Sequence, residues 1–202
     1  MQRGLLALAG QVECEIQRVF EAIVQRSTVD VSDMEAEQSG FDLAILKGLA
    51  QQRFEEHELQ RIAAVFKSVE RLHWIAGLAR GLGRSSQRLA QHPELPLPGE
   101  LSHIAELVAS MVRLALEALV DVDVRVARHL DVLDQEVRRY SLAAVDELVC
   151  TMQSGPEHVR PALIVQGTLQ CLGAMAGLAT DIAAEVIYLV DGEQRPRRTS
   201  GW

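Results

Sequence analysis

The amino-acid sequence repeats itself at a nearly constant spacing, and this repeat constrains the fold more than any other feature. The segment LHWIAGLA begins at Leu72, and LGAMAGLA begins one hundred residues later at Leu172. Nearer the N-terminus of each copy, a stripe of apolar residues at helical spacing recurs at an offset of 103. The stripe consists of Leu5, Leu8, Ala9, Val12, Ile16, Val19 and Ile23 in the first copy, and of Val108, Met111, Val112, Ala115, Leu119, Val122 and Val126 in the second. The sequence therefore predicts two structural copies of roughly ninety residues each.

Composition and turn signals predict that each copy contains three helices. Aromatic residues make up 4% of the chain and hydrophobic residues 48%, which favours an all-α fold over a sandwich or barrel. The proline-rich run HPELPLPGE, which begins at His92, cannot continue a helix and marks a linker. Short connections between long amphipathic helices favour antiparallel neighbours, so we expect two tandem three-helix bundles. The predicted helices span roughly residues 2–26, 31–51 and 56–90, and then 100–122, 124–153 and 157–191.

The linker also sets the predicted domain limits. The first bundle covers residues 1–92, the linker 93–99 and the second bundle 100–193. Residues 194–202, which include the basic run RPRR, are expected to form a flexible tail.

Charge, cysteines and hydropathy narrow the function classes. The formal net charge of −8 disfavours a nucleic-acid partner, because phosphate binding draws on clustered Lys and Arg. Cys14, Cys150 and Cys171 are widely spaced within apolar helical patterns, so we expect buried thiols rather than disulfides or a metal site. No stretch approaches eighteen uninterrupted apolar residues and no signal-peptide cleavage site follows the N-terminal apolar run, which predicts a cytoplasmic chain that does not span a membrane.

The polar and aromatic residues show no catalytic pattern. The scattered histidines form no H-E-x-x-H motif, and there is no nucleophile elbow or phosphate-cradling glycine loop, so we expect no enzyme. Trp74 is expected to pack against the neighbouring bundle, because Trp is usually largely buried. A group of four acids is expected to form a solvated surface near a turn: Asp121, Asp123, Asp131 and Asp134.

Three segments of the chain resemble the PhoU family of phosphate-uptake regulators. They are AAEVIYLVDGE from Ala183, ELQRIAAVFKSVERLHWIAGLA from Glu58, and ALEALVDVDVRVARHLDVLDQEV from Ala115. The resemblance covers nearly the whole chain and implies tandem three-helix bundles, in agreement with the repeat. It also implies a non-enzymatic, dimeric adaptor, which couples the ATPase subunit of a phosphate transporter to a sensor histidine kinase and negatively regulates phosphate uptake and the phosphate-starvation response. Two alternatives stay open, namely an accessory module of a different ion transporter and a metal-binding helical bundle.

The resemblance also implies acidic metal-binding pairs on the second and third helix of each bundle, and this chain has lost most of them. Two carboxylates survive at the eight matching positions, Glu35 and Asp134. With His73 they are weak candidates for metal ligands, and we expect no metal cofactor; Asp134 is instead expected to form an ion pair with Arg138. The eight positions are Val31, Glu35, His73, Gly77, Asp134, Arg138, Gly173 and Gly177.

Glycines take the place of acids on both third helices. Gly77 with Gly81, and Gly173 with Gly177, are spaced by four and remove side chains from one strip of each helix. One hypothesis is a groove that receives a helix of a second copy or of a partner, in which case Leu at Gly77 or Gly177 should weaken association. The alternative is that glycine drifted into a surface that metal binding no longer constrains.

Overall fold

The computed structural model describes residues 14, 16–25, 27 and 56–192, with side chains in the second segment described from residue 58. These residues contain five helices and no strand, so the all-α prediction is confirmed. The predicted helix over residues 31–51 lies outside the described residues. The helices are α1 (16–24), α2 (Glu56–Leu89), α3 (Leu101–Asp121), α4 (Val124–Ser154) and α5 (Pro156–Asp191).

The turn between α3 and α4 is made by two residues rather than by glycine or proline. Val122 adopts a left-handed conformation (φ 55°). The backbone N–H of Asp123 donates to the carbonyl of Ala118. Asp123 then caps α4, because its side chain accepts hydrogen bonds from the backbone N–H groups of Arg125 and Val126. The hydrogen bond from the Arg125 side chain, with that from its backbone, holds the pKa of Asp123 below its ordinary value. Asp123 is thus a charged helix cap rather than part of a diffuse acidic surface.

The two repeated segments lie on α2 and α5, and the same positions of each segment are buried. Leu72, Ile75, Ala76 and Ala79 are buried in α2, and the residues one hundred positions later are buried in α5: Leu172, Met175, Ala176 and Ala179. Burying a large aliphatic side chain contributes about 1.5–3 kcal/mol. Among the predicted stripe positions of the second copy, Val108, Met111, Val112, Ala115 and Leu119 are all buried in α3. The repeat therefore encodes the core.

Helix α5 lies at the centre of the described fold, since it packs against α2, α3 and α4. It is 36 residues long, with an eighteen-residue window of mean hydropathy 1.5, so by length and composition it passes the test for a membrane span. Half of that window is buried inside the fold. A buried core helix has the same length and composition, which makes this weak evidence for a membrane.

Residues 90–100, which include the predicted linker, contain no helix and connect α2 to α3. Leu95 and Pro98 are buried, and the backbone N–H of Gly99 donates to Glu147 of α4 over 3.1 Å. The connection therefore lies against α4.

Candidate functional site

Six of the eight motif positions fall in the described residues, and they lie on three helices. His73 and Gly77 are on α2, Asp134 and Arg138 on α4, and Gly173 and Gly177 on α5. Val31 and Glu35 lie outside the described residues.

Asp134 is the only acidic side chain among the described residues that is buried, with 2% of its surface exposed. Nε of Arg138, one helical turn later, donates to its Oδ2 over 3.1 Å. A buried carboxylate is costly unless it is paired and hydrogen-bonded, so the guanidinium of Arg138 compensates its charge. The expected ion pair is therefore present, whereas the expectation that Asp134 belongs to a solvated acidic surface is wrong.

The glycine strip on α2 is covered by arginine side chains. A Cβ placed on Gly77 would lie 3.7 Å from Nη2 of Arg80, and one on Gly81 would lie 4.0 Å from Nη2 of Arg84. Helical side chains lean toward the N-terminus of their helix, and each guanidinium accordingly lies over the glycine three residues earlier. The predicted groove in the first bundle is thus lined by two positive charges.

The surface of α5 is open at Gly177, the equivalent of Gly77. Thr180 and Ala184 stand where α2 has Arg80 and Arg84, at the repeat offset of one hundred residues. Apart from the flanking residues and the backbone of its own helix, no atom of the described chain lies within 4 Å of a Cβ placed on Gly177. Gly77 and Gly177 therefore have chemically different surroundings, although they are equivalent positions of the repeat.

Ion pairs join α2 to α5 and show that the two helices run antiparallel. Nη2 of Arg71 lies 2.9 Å from Oε1 of Glu185, and Nε of Arg71 lies 3.9 Å from Oδ2 of Asp181. Nζ of Lys67 lies 3.1 Å from Oε2 of Glu185. The sequence did not predict this network, because the four-residue spacing of the cations and of the acids defines a face on each helix but not which two faces meet.

Comparison with known proteins agrees with this architecture. Residues 101–186 match the model of the PhoU domain. The chain is 29% identical over 197 residues to the phosphate-specific transport system accessory protein PhoU homolog of Pseudomonas putida, across 93% of this chain and 77% of that protein. It aligns with the crystal structure of PhoU from Pseudomonas aeruginosa at a TM-score of 0.84 and 27% identity, across 95% of this chain and 96% of that one. Residues 101–186 therefore carry a PhoU domain, and the chain is similar to PhoU proteins over most of its length.

The PhoU fold extends to a more distant relative. The crystal structure of the phosphate transport system regulatory protein PhoU from Streptococcus pneumoniae aligns at a TM-score of 0.76, across 96% of this chain and 95% of that one. The two sequences are only 16% identical, so this match shows a shared fold.

The PhoU-type metal cluster does not fit the residues of the second bundle. Its four motif positions offer one carboxylate, Asp134, which is paired with the cation Arg138, and two glycines without ligand atoms. Within the described ranges, no group of three or more His, Cys, Asp or Glu side chains is arranged to hold a metal ion. Of the weak candidates, His73 and Asp134 lie on different helices and Glu35 lies outside the described residues. The geometry of the second bundle favours an ion pair over a metal site.

The exposure of Trp74 corrects one expectation from the sequence. Its side chain is 65% exposed, so the prediction that it packs against the neighbouring bundle is wrong. Phe66 on the same helix is 45% exposed, and Leu142 on α4 is 69% exposed. Large apolar residues therefore face outward on both α2 and α4.

The cysteines correct a second expectation. Cys14 and Cys150 are exposed, and Cys171 on α5 is half-buried, so the prediction of three buried thiols is wrong. Burial raises the pKa of the Cys171 thiol, and the positive charge of Arg84 opposes this shift. The interaction indicates that the Arg84 guanidinium lies near the α2–α5 interface.

Proposed function

We propose that this PhoU-like chain is a non-enzymatic regulator of phosphate transport. In this proposal it links the ATPase subunit of a phosphate transporter to a sensor histidine kinase, and it represses phosphate uptake and the phosphate-starvation response. The observation that carries the proposal is the similarity, over 93% of the chain, to a protein named as a phosphate-specific transport system accessory protein. The partners themselves are inferred from the family resemblance of the sequence.

The exposed faces of the helices support an adaptor role. Long, rigid helices present continuous surfaces to which a partner can bind without a reactive centre. Trp74 on α2 and Leu142 on α4 are large apolar side chains that face solvent at 65% and 69% exposure. Aromatic anchors of this kind are typical of interface hot spots, so Trp74 is our candidate contact to one partner.

The same proposal includes a cytoplasmic location, a homodimer and no metal in the second bundle. The half-buried α5 fits a soluble core helix that works beside a membrane transporter. The Asp134–Arg138 pair supports the absence of a metal, because it neutralises the buried carboxylate without one. Elemental analysis of protein purified without a His tag should find no stoichiometric iron, zinc or manganese that depends on Asp134. Metal that is present in the wild type and lost in Asp134→Asn would contradict this part of the proposal.

The adaptor proposal is tested by affinity capture from cells grown with and without phosphate. We expect the transporter ATPase subunit and a histidine kinase to be recovered, and we expect a strain without the protein to express phosphate-starvation genes in phosphate-rich medium. An unrelated set of partners together with normal repression would overturn the proposal.

Two surface variants refine the capture experiment. Trp74→Ala removes one exposed apolar side chain from α2, and Leu142→Ala removes one from α4. If Trp74 contacts a partner, its variant should lose that partner while Leu142→Ala keeps it. Equal recovery with both variants would remove Trp74 from the interface.

A further inference from the structure

Three arginines with four-residue spacing form a basic row on the C-terminal half of α2. Arg80, Arg84 and Arg88 are one helical turn apart, so their side chains lie on neighbouring positions of one face. No side-chain hydrogen bond or ion pair joins any of them to another described residue. By contrast, Arg71 and Arg138 have carboxylate partners.

Arg80 is the most constrained member of this arginine row. Its Nη1 atom is buried and has no hydrogen-bond partner in the described part of the chain. Leaving a buried donor unsatisfied costs roughly 1–3 kcal/mol. Such groups are rare in native proteins, and an ion or a bound molecule is one of their common explanations.

The glycines of α2 give these guanidinium groups their positions. Nη2 of Arg80 lies 3.7 Å from where a Cβ of Gly77 would be, and Nη2 of Arg84 lies 4.0 Å from the corresponding point on Gly81. Because glycine has no side chain, both guanidinium groups lie close to the helix surface with donors left over for a ligand. Arg84 also acts electrostatically on Cys171 of α5, so the row borders α5.

We propose that Arg80 and Arg84, assisted by Arg88, bind a phosphate-type oxyanion over the Gly77–Gly81 segment of α2. Guanidinium groups match the oxygens of phosphate through paired hydrogen bonds, and each group offers five donors. Three adjacent positive charges favour a multiply charged anion over a single carboxylate. The anion is either free inorganic phosphate or the phosphoryl group of a larger molecule such as a nucleotide. The site rests on these side chains alone and does not depend on the adaptor function proposed above.

The repeat supplies an internal comparison. The second bundle has Thr180 and Ala184 at the two arginine positions and lacks the basic row, so one oxyanion should bind per chain. The proposal therefore predicts an anion site on α2 and none at the equivalent positions of α5.

Isothermal titration calorimetry in a phosphate-free buffer tests the site, with inorganic phosphate and ATP as separate probes. We expect saturable binding of one anion per chain, with a dissociation constant below about 1 mM. Arg80→Gln and Arg84→Gln should each weaken binding at least tenfold, because glutamine keeps a polar side chain but lacks the positive charge and the paired N–H donors of a guanidinium group. Arg160→Gln is the matched control, since Arg160 is an exposed arginine on α5 and its substitution changes the net charge by the same amount.

A second pair of variants keeps every arginine in place. Gly77→Leu fills the space beneath the Arg80 guanidinium and should also weaken binding at least tenfold, whereas Gly177→Leu, at the equivalent position of α5, should not. Binding of inorganic phosphate identifies the free anion, and binding of ATP alone identifies a phosphoryl group on a larger molecule; either supports the site. The proposal is overturned if neither probe binds saturably, if the Arg80 and Arg84 variants bind as the wild type does, or if Arg160→Gln weakens binding equally.

Discussion

Replacing Gly177 by alanine should stabilise the protein. Gly177 lies in the interior of α5, where glycine is less favourable than alanine by about 1 kcal/mol because its backbone loses more freedom on folding. The added methyl group meets no atom of the described residues within 4 Å, so no steric cost offsets this gain. We expect the free energy of unfolding to rise by about 1 kcal/mol.

For a chain of 202 residues, this gain corresponds to an increase in Tm of roughly 2–4 °C. Thermal unfolding followed by circular dichroism would resolve such a shift, and urea unfolding would give the free energy directly. The midpoint should increase while the dependence on urea stays unchanged.

Gly192 provides the matched control, because the same substitution should have the opposite effect there. Gly192 follows α5 in the left-handed conformation (φ 69°), and its N–H donates to the carbonyl of Tyr188. An alanine in this conformation costs roughly 1–2 kcal/mol. The two sites are about 22 Å apart along the helix, so their effects should add in the double variant.

A lower or unchanged stability of Gly177→Ala, with two-state unfolding retained, would refute the reasoning. That result would mean that the strip on α5 is closely covered in solution. Loss of self-association in the same variant would identify a second copy of the chain as the cover and would support the groove hypothesis.

Three further predictions concern the ion pairs and the half-buried thiol. Arg71→Met should lower stability by about 1–3 kcal/mol, because it leaves the half-buried Glu185 without its closest cation; urea unfolding with unchanged stability would show that this pair contributes nothing. Arg138→Met should lower the free energy of unfolding by about 1–2 kcal/mol, because the buried Asp134 loses the charge that compensates it, although solvent partly screens Arg138. Wild-type stability of this variant in urea unfolding would contradict the compensating role of the guanidinium. Iodoacetamide should alkylate Cys171 slowly at pH 8, because burial raises its pKa and keeps the thiol protonated, and the rate should rise with pH; mass spectrometry showing rapid alkylation at pH 8 would contradict this.

Most of the fold prediction was based on helical periodicity and on the positions of the prolines. The helices predicted over roughly 56–90, 100–122, 124–153 and 157–191 are observed as Glu56–Leu89, Leu101–Asp121, Val124–Ser154 and Pro156–Asp191. These limits were predictable because prolines and glycines end helices through local chemistry. The turn at Val122 contains neither residue, and it is instead formed by the left-handed Val122 and the Asp123 cap.

The candidate site was less predictable, because it depends on which side chains meet across helices. The Asp134–Arg138 pair follows from four-residue spacing within one helix, and the sequence predicted it. The Arg71–Glu185 pair joins residues 114 positions apart, and nothing local specifies it. Exposure of Trp74 was mispredicted for the same reason, since residue type gives only an average tendency for burial.

The sequence by itself determined the helical class and the approximate limits of α2, α3, α4 and α5, because both depend on residue types and short spacings. Only the tertiary structure decided how α2 and α5 pair, which acid is buried, and that two guanidinium groups lie over Gly77 and Gly81. The physical reason is that side-chain direction and burial depend on neighbours that are distant in the chain, and a repeat that makes two helices equivalent in position does not make their surroundings equal.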